Sequence, residues 1–116
     1  MKIEGEGILV RIFVGENDTW EGKPLYEAIL QKARESGLAG ATILRGVAGF
    51  GANSLIHTTK VLRLSEDLPI VIELVDKAEP IEKILPVLDE MVEEGLITQE
   101  KVNIIAYRHN RNGDEG

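Results

Sequence analysis

Cysteine is absent from this 116-residue chain, and histidine is scarce, with only two residues. The absence of cysteine excludes disulfide bonds, thiolate catalysis and cysteine-ligated zinc or iron–sulfur sites. Because a lone histidine is more often a surface or hydrogen-bonded residue than a ligand, we predict neither a metal site nor a catalytic centre. The chain also has no run of 18 apolar residues and no N-terminal signal-peptide stretch, which predicts a soluble cytoplasmic protein.

Basic residues are the minority, with 13 against 20 acidic residues and a net charge of −7. Because an acidic surface repels phosphate backbones, we do not expect nucleic-acid binding. The charge is unevenly placed, however, and no acidic residue occurs between Glu35 and Glu66. Arg45, Lys60 and Arg63 lie inside this window. Two interpretations follow: buried strand, where charges are scarce, or a local positive potential that attracts an anion.

Hydrophobic periodicity predicts one domain over residues 1–116, with four strands and two helices. The strands are predicted at about 7–14, 41–48, 68–75 and 102–107. The helices are predicted to begin near Pro24 and Pro80 and to end at Gly37 and Gly95. The order βαββαβ predicts an α+β, ferredoxin-like (split βαβ) fold, in which two helices cover one face of a four-stranded antiparallel sheet. We also predict an exposed loop at about 49–65 and a polar tail at 110–116.

Two of the predicted strands are apolar on both faces. In the first strand Val10 and Ile12 lie on one face, and Leu9 and Phe13 lie on the other. A strand with one face in water should alternate apolar and polar residues. Because two helices cover only one face of such a sheet, the second face would expose a large apolar patch. We therefore predict that copies of the chain pack sheet against sheet.

Catalytic candidates are few. Glu73, between two apolar residues of its strand, is the best candidate for a functional carboxylate, but we favour the simpler interpretation that it forms an ion pair with Arg45 or Arg11 on a neighbouring strand. The glycine-rich segment 46–51 lacks the spacing of a dinucleotide-binding loop and the lysine of a P-loop. Its closely spaced glycines nevertheless leave backbone N–H groups accessible, which is compatible with an anion.

Several motifs resemble those of the PII signalling proteins. More closely, their combination resembles a PII-like family of uncharacterised proteins, domain of unknown function 190. The motifs cover roughly residues 7–108 and are specific in combination rather than singly. They are Gly40-Ala41-Thr42, Leu44-Arg45-Gly46, Gly49-Phe50-Gly51, Ile56-His57, Leu64 to Pro69, Leu68 to Val75, and Leu85 to Val92.

This resemblance implies a homotrimer with clefts between subunits and an exposed loop. PII proteins bind adenine nucleotides in those clefts, and their loop contacts partners that are often membrane transporters. Thr42, Gly49 and Gly51 match cleft-side positions, and Val71 and Glu73 match less closely. The acid-free window adds four further candidates for an anionic, nucleotide-like ligand. These are Arg45, His57, Lys60 and Arg63.

The sequence also departs from PII. The glycine-rich, lysine-bearing loop before the last strand is replaced by residues 95–100, and no arginine–glutamine pair follows Gly51. These departures weaken the expectation of PII-style ATP binding and leave the ligand as an adenine nucleotide or another small anion. Because the chain has no recognisable catalytic constellation, we favour a regulatory binding module over two alternatives. One is a small enzyme with His57 or Glu73 as general base in an intersubunit cleft, and the other is a metal-tolerance-type trimer.

Overall fold

A computed structural model describes residues 3–50 and 67–108. In this part of the chain, strands and helices alternate as the hydrophobic pattern predicts. The strands are β1 (Gly5–Gly15), β2 (Thr19–Trp20), β3 (Lys23–Pro24), β4 (Gly40–Arg45), β5 (Pro69–Asp76) and β6 (Leu96–Ile104). The helices are α1 (Leu25–Glu35) and α2 (Ala78–Met91).

The four long strands form one antiparallel sheet in the order β4-β5-β1-β6. Strands β1 and β5 occupy its centre, and β4 and β6 form its edges. This is the strand order of a ferredoxin-like fold, so the predicted α+β class and split βαβ arrangement are confirmed. The short strands β2 and β3 form a separate hairpin between β1 and α1, where the hydrophobic pattern predicts no strand.

Both helices pack against the same face of the sheet. Ile12 and Ile72, which are paired across β1 and β5, are completely buried beneath them. Alternate residues of the two central strands and the apolar stripes of the two helices make one core, as their periodicity predicts. Its buried members are Val10, Ile12, Val14, Leu25, Ala28, Ile29, Ala33, Ile70, Ile72, Leu74, Ile81, Ile84, Leu88 and Met91.

Three predicted boundaries were wrong. Strand β6 begins at Leu96 rather than near 102, because its polar residues 98–101 lie on an edge strand and give no apolar alternation. Strand β4 ends at Arg45 rather than near 48, because its partner β5 begins at Pro69 and the last backbone hydrogen bond between the two runs from Gly46 N to the Pro69 carbonyl oxygen. Helix α2 begins at Ala78 and ends at Met91, before the predicted stop at Gly95.

Residues 51–66 and 109–116 lie outside the described part of the chain. They include most of the predicted loop at 49–65 and the whole predicted tail at 110–116. Over 3–50 and 67–108, no helix is both long enough and apolar enough to cross a membrane.

Candidate functional site

The face of the sheet opposite the helices, which we call the open face, carries a row of four apolar side chains. The strand register aligns Leu44 with Val71, Val71 with Phe13, and Phe13 with Leu96. Val71 and Phe13 are half-buried, whereas Leu44 and Leu96 lie on the edge strands and are exposed. The two-faced hydrophobic pattern of the central strands is therefore present in the fold, as the sequence predicts.

A polar row lies next to this apolar row. Thr42, Glu73, Arg11 and Thr98 are aligned across the four strands. Arg11 Nε donates a hydrogen bond to Glu73 Oε2 at 3.0 Å, and Arg11 Nη1 lies 3.5 Å from Glu100 Oε1. The hydrogen bond to Glu73 is the main cause that raises the pKa of the Arg11 guanidinium, and partial burial acts in the opposite direction. The open face thus holds a cation between two carboxylates.

These contacts show which of the two predicted arginine partners Glu73 has. The ion pair with Arg11 is confirmed, and the alternative pair with Arg45 is wrong. The Arg11 guanidinium contacts Glu73 Oε2, so Glu73 lies in a polar ion pair and not in the apolar setting that would favour a role as general base. Arg11 was predicted only as a partner of Glu73, and its contact with Glu100 was not predicted. The alternation of β1, which places Arg11 on the same face as Leu9 and Phe13, was the available signal.

The base of the predicted loop lies at one end of the sheet, where β4 ends and β5 begins. Arg45 forms an ion pair there with Glu16, which follows β1 in the chain. Asp67 lies at the same end of the sheet, because its Oδ1 accepts a hydrogen bond from the backbone N–H of Asn17 at 3.1 Å. The segment between Glu35 and Glu66 therefore contains no acidic residue, but its Arg45 lies next to the carboxylate of Glu16 in the folded chain.

Two glycines make close approaches at this end of the sheet. A Cβ on Gly46 would lie 2.7 Å from Pro69 Cγ, and the Gly46 N–H donates to the Pro69 carbonyl at 2.7 Å. This amide is therefore already used, and it is not one of the free N–H donors that the glycine spacing predicted. A Cβ on Gly15 would lie 2.9 Å from Asp67 Oδ1 and 3.3 Å from Asp18 Oδ1. Both carboxylates thus face the end of β1.

The predicted ligand residues fall into three groups. Thr42 and Glu73 are neighbours in the polar row of the open face. Arg45 and Gly49 are exposed at the base of the loop, where Gly49 lies against Pro69. The remaining four predicted residues lie outside the described residues, and their roles stay predictions. These are Gly51, His57, Lys60 and Arg63.

A cleft of about 460 Å³ lies between the β2–β3 hairpin and the end of α2. Its wall includes Trp20 and Met91, and its carboxylates disfavour an anionic ligand. None of the predicted ligand residues lines it. The full lining is Asp18, Thr19, Trp20, Glu21, Leu25, Met91, Glu93 and Glu94. Across residues 3–50 and 67–108, no group of three or more histidine, aspartate or glutamate side chains is arranged to hold a metal ion.

Residues 7–104 match the model of the DUF190 family, described as "Uncharacterized ACR, COG1993". A UPF0166 protein of Aquifex aeolicus is 41% identical over 97 residues, which cover 84% of this chain and 91% of that protein. A UPF0166 protein of Methanocaldococcus jannaschii is 36% identical over 90 residues, covering 77% of this chain and 82% of the relative.

Two solved structures share the fold at low sequence identity. One, from Thermus thermophilus, is described as a PII-like signaling protein and has a TM-score of 0.61 at 19% identity, covering 87% of this chain and 91% of that one. The other is CPII of Thiomonas intermedia, bound to ADP and bicarbonate, with a TM-score of 0.55 at 14% identity. It covers 85% of this chain and 88% of that one. The fold is therefore PII-like.

Proposed function

Because the chain belongs to the DUF190 family and has a PII-like fold, we propose that it is a trimeric regulatory module rather than an enzyme. In this proposal three copies pack their open faces together around a common axis. A small anionic, nucleotide-like ligand binds in the clefts between copies, and the loop at 49–65 contacts a partner. By resemblance to PII, that partner is a membrane transporter or channel.

The exposed apolar row of the open face is the observation that supports the proposed assembly. Its apolar row runs across all four strands, and the edge leucines Leu44 and Leu96 are 47% and 54% exposed in the single chain. Isolated soluble chains seldom leave a continuous apolar stripe of this kind in water. Because the neighbouring polar row carries both an arginine and carboxylates, a rotated copy of the same face can offer opposite charges. A second and a third copy are therefore the occupants that fit.

We propose the boundary between copies as the ligand site for two reasons. The described cleft of the single chain is lined by carboxylates, which disfavour an anion. The candidates Thr42 and Glu73 lie on the open face, so both border a boundary between copies if the open faces meet. Arg45 pairs in register with the buried Ile70, so its side chain belongs to the other face, at the loop end of the sheet. The ADP and bicarbonate bound to CPII of Thiomonas intermedia, a chain of the same fold, supply the first ligands to test.

The alternative functions find less support. Glu73 forms an ion pair with Arg11, which explains its position on the open face without a catalytic role. His57, the other candidate base, lies outside the described residues. Among the residues that the structure describes, nothing favours the metal-tolerance-type trimer. The regulatory module is therefore the function we propose.

The assembly is tested by light scattering coupled to size exclusion, which should give about three times the chain mass of 12.8 kDa. Leu96→Asp places a charge in the apolar row and should yield monomers of native helix and strand content. Leu30→Asp is the matched control, because Leu30 is 36% exposed on helix α1, on the other side of the sheet, and should stay trimeric. A parent chain that is monomeric, or a Leu96→Asp variant that stays trimeric, would contradict the proposed assembly.

The ligand is tested by thermal shift with ADP, ATP, AMP, bicarbonate and cyclic dinucleotides, since a ligand specific for the native state raises the melting temperature. Lys60→Gln with Arg63→Gln should weaken binding of the best ligand by about 1–3 kcal/mol if both residues contact it. The control is Arg34→Gln with Lys83→Gln, which removes two exposed cations from the helices. Equal binding by the two double variants would place the site elsewhere.

A further inference from the structure

The cleft between the β2–β3 hairpin and the end of α2 combines apolar and acidic residues in its lining. Trp20, which is half-buried against the core, and the buried Met91 contribute apolar side chains. Four acidic residues form what we call the acidic rim. These are Asp18, Glu21, Glu93 and Glu94. The combination fits a ligand with a positive charge and an apolar body, because carboxylates and an indole ring both attract a cation.

Basic side chains do not balance the acidic rim. Among residues 3–50 and 67–108, no lysine or arginine forms an ion pair with any of its four carboxylates. Asp18 accepts a hydrogen bond from the backbone N–H of Gly15 at 2.9 Å, which leaves its negative charge in place. Lys23, aligned with Trp20 across the hairpin, is exposed and does not line the cleft. Counting its charge still leaves one cation against four carboxylates.

The end of helix α2 adds to this negative potential. A helix C-terminus carries a partial negative charge, and basic side chains in the last turn are stabilising there. Helix α1 has two such residues in its last turn, Lys32 and Arg34, whereas the last turn of α2 has none. Asp89 and Glu90, which are exposed near the end of α2, increase the negative charge instead. A bound cation at this end of α2 would therefore supply the charge that α1 has in its own sequence.

The turn of the hairpin holds one rim residue in an unfavourable backbone conformation. Glu21 and Gly22 connect β2 to β3, and their φ angles are 50° and 84°. Hairpin turns with two positive φ angles favour Asn-Gly, and a glutamate in this region is uncommon. Residues that keep a costly conformation are concentrated at functional sites. Because Glu21 lines the cleft, a role in binding accounts for its presence in the turn.

We propose that this cleft is a docking site for an arginine- or lysine-bearing segment of a partner protein. The occupant follows from charge complementarity, since a long basic side chain packs its apolar stem against an aromatic ring and brings its charge to the rim. The rim residues Glu21, Glu93 and Glu94 are exposed, so a chain lying across the cleft reaches all three. No cleft residue belongs to the four-stranded sheet, and the site is independent of assembly through the open face.

The test uses the full chain and a peptide of four arginines with blocked ends. The peptide of four citrullines is its control, because citrulline has nearly the same shape and no charge. Trp20 is the one tryptophan of the chain, so its fluorescence reports binding at the cleft itself. The arginine peptide should change this fluorescence saturably, and less strongly at higher ionic strength, whereas the citrulline peptide should leave it unchanged.

Two variants with the same net charge locate the binding. Glu93→Gln with Glu94→Gln should weaken binding of the arginine peptide by roughly three- to tenfold, as expected for the loss of two exposed ion pairs. Glu79→Gln with Glu82→Gln is the matched control, because it removes two exposed carboxylates from the first half of α2, and it should bind like the parent.

A third variant separates binding from stability. Asparagine tolerates a positive φ better than glutamate, so Glu21→Asn should raise the melting temperature while it weakens binding of the arginine peptide.

The outcomes that overturn the proposal are specific. A parent chain whose fluorescence shows no saturable change with the arginine peptide has no such site. Equal weakening by the two double variants would mean that the peptide responds to total charge. Equal binding of the citrulline peptide would remove the argument from charge complementarity, and so would a Glu21→Asn variant that binds as tightly as the parent. Each of these results leaves the proposed assembly untouched.

Discussion

The two faces of the sheet are built from the same strands, yet they differ in what covers them. Under the helices, alternate residues of β1 and β5 are buried and apolar until Asp76, at the end of β5. On the open face, the residues between them are half-buried and include the Arg11–Glu73 pair. The covered face is thus completed within one chain, whereas the open face resembles half of an interface. If copies assemble through the open face as proposed, folding and assembly depend on separate residues.

The largest expected effect on the free energy of unfolding is that of a substitution at Ile72. We compare it with a substitution at Val71, the adjacent residue on the opposite face of the sheet. Ile72→Ala removes a completely buried side chain and should lower the free energy of unfolding by about 2–5 kcal/mol. Val71→Ala should act mainly through assembly, so its effect on urea unfolding should depend on protein concentration.

Measuring both variants at low and high protein concentration distinguishes these effects. The Ile72→Ala loss should be similar at both concentrations, relative to the parent. If the Val71→Ala loss is equally independent of concentration, the open face contributes to folding alone, and the separation of the two faces fails.

Much of the fold could be predicted from the sequence, and the failures have physical causes. The alternation of β1 and β5 was clear because Val, Ile and Leu follow the two-residue period of a strand. The first half of β6 was missed because residues 98–101 are polar on both faces of an edge strand. The Glu16–Arg45 pair was missed because its partners are 29 residues apart and meet only when β1 and β4 end near one another. Hydrophobic periodicity indicates which residues each strand buries, but it does not indicate which strand ends lie close together.

A smaller effect is expected at Asp76, the buried charged residue at the end of the covered face. Its Oδ2 accepts a hydrogen bond from Ala39 N at 2.9 Å, and its Oδ1 accepts one from Lys77 N at 2.6 Å. These bonds connect the start of α2 to the segment before β4. Asp76→Ala would leave both donors without a partner and should cost about 1–3 kcal/mol, measured by urea unfolding.

The conservative variant sharpens this prediction. Asp76→Asn keeps one acceptor oxygen and should cost less than Asp76→Ala. If both variants unfold at the same urea concentration as the parent, the two hydrogen bonds do not contribute to stability.

The smallest effect on folding is expected from the Arg11–Glu73 pair, because both side chains are about one-third exposed. A double-mutant cycle of Arg11→Gln and Glu73→Gln should give a coupling energy of about 0–1 kcal/mol when measured on monomers, for example in a Leu96→Asp background. The same cycle in the assembled protein should give a larger value, since excluding water strengthens the attraction and makes an unpaired partner costly. The difference between the two cycles measures how far assembly dehydrates the open face. Equal coupling in both backgrounds would mean that the pair stays in water, and that the open faces do not meet there.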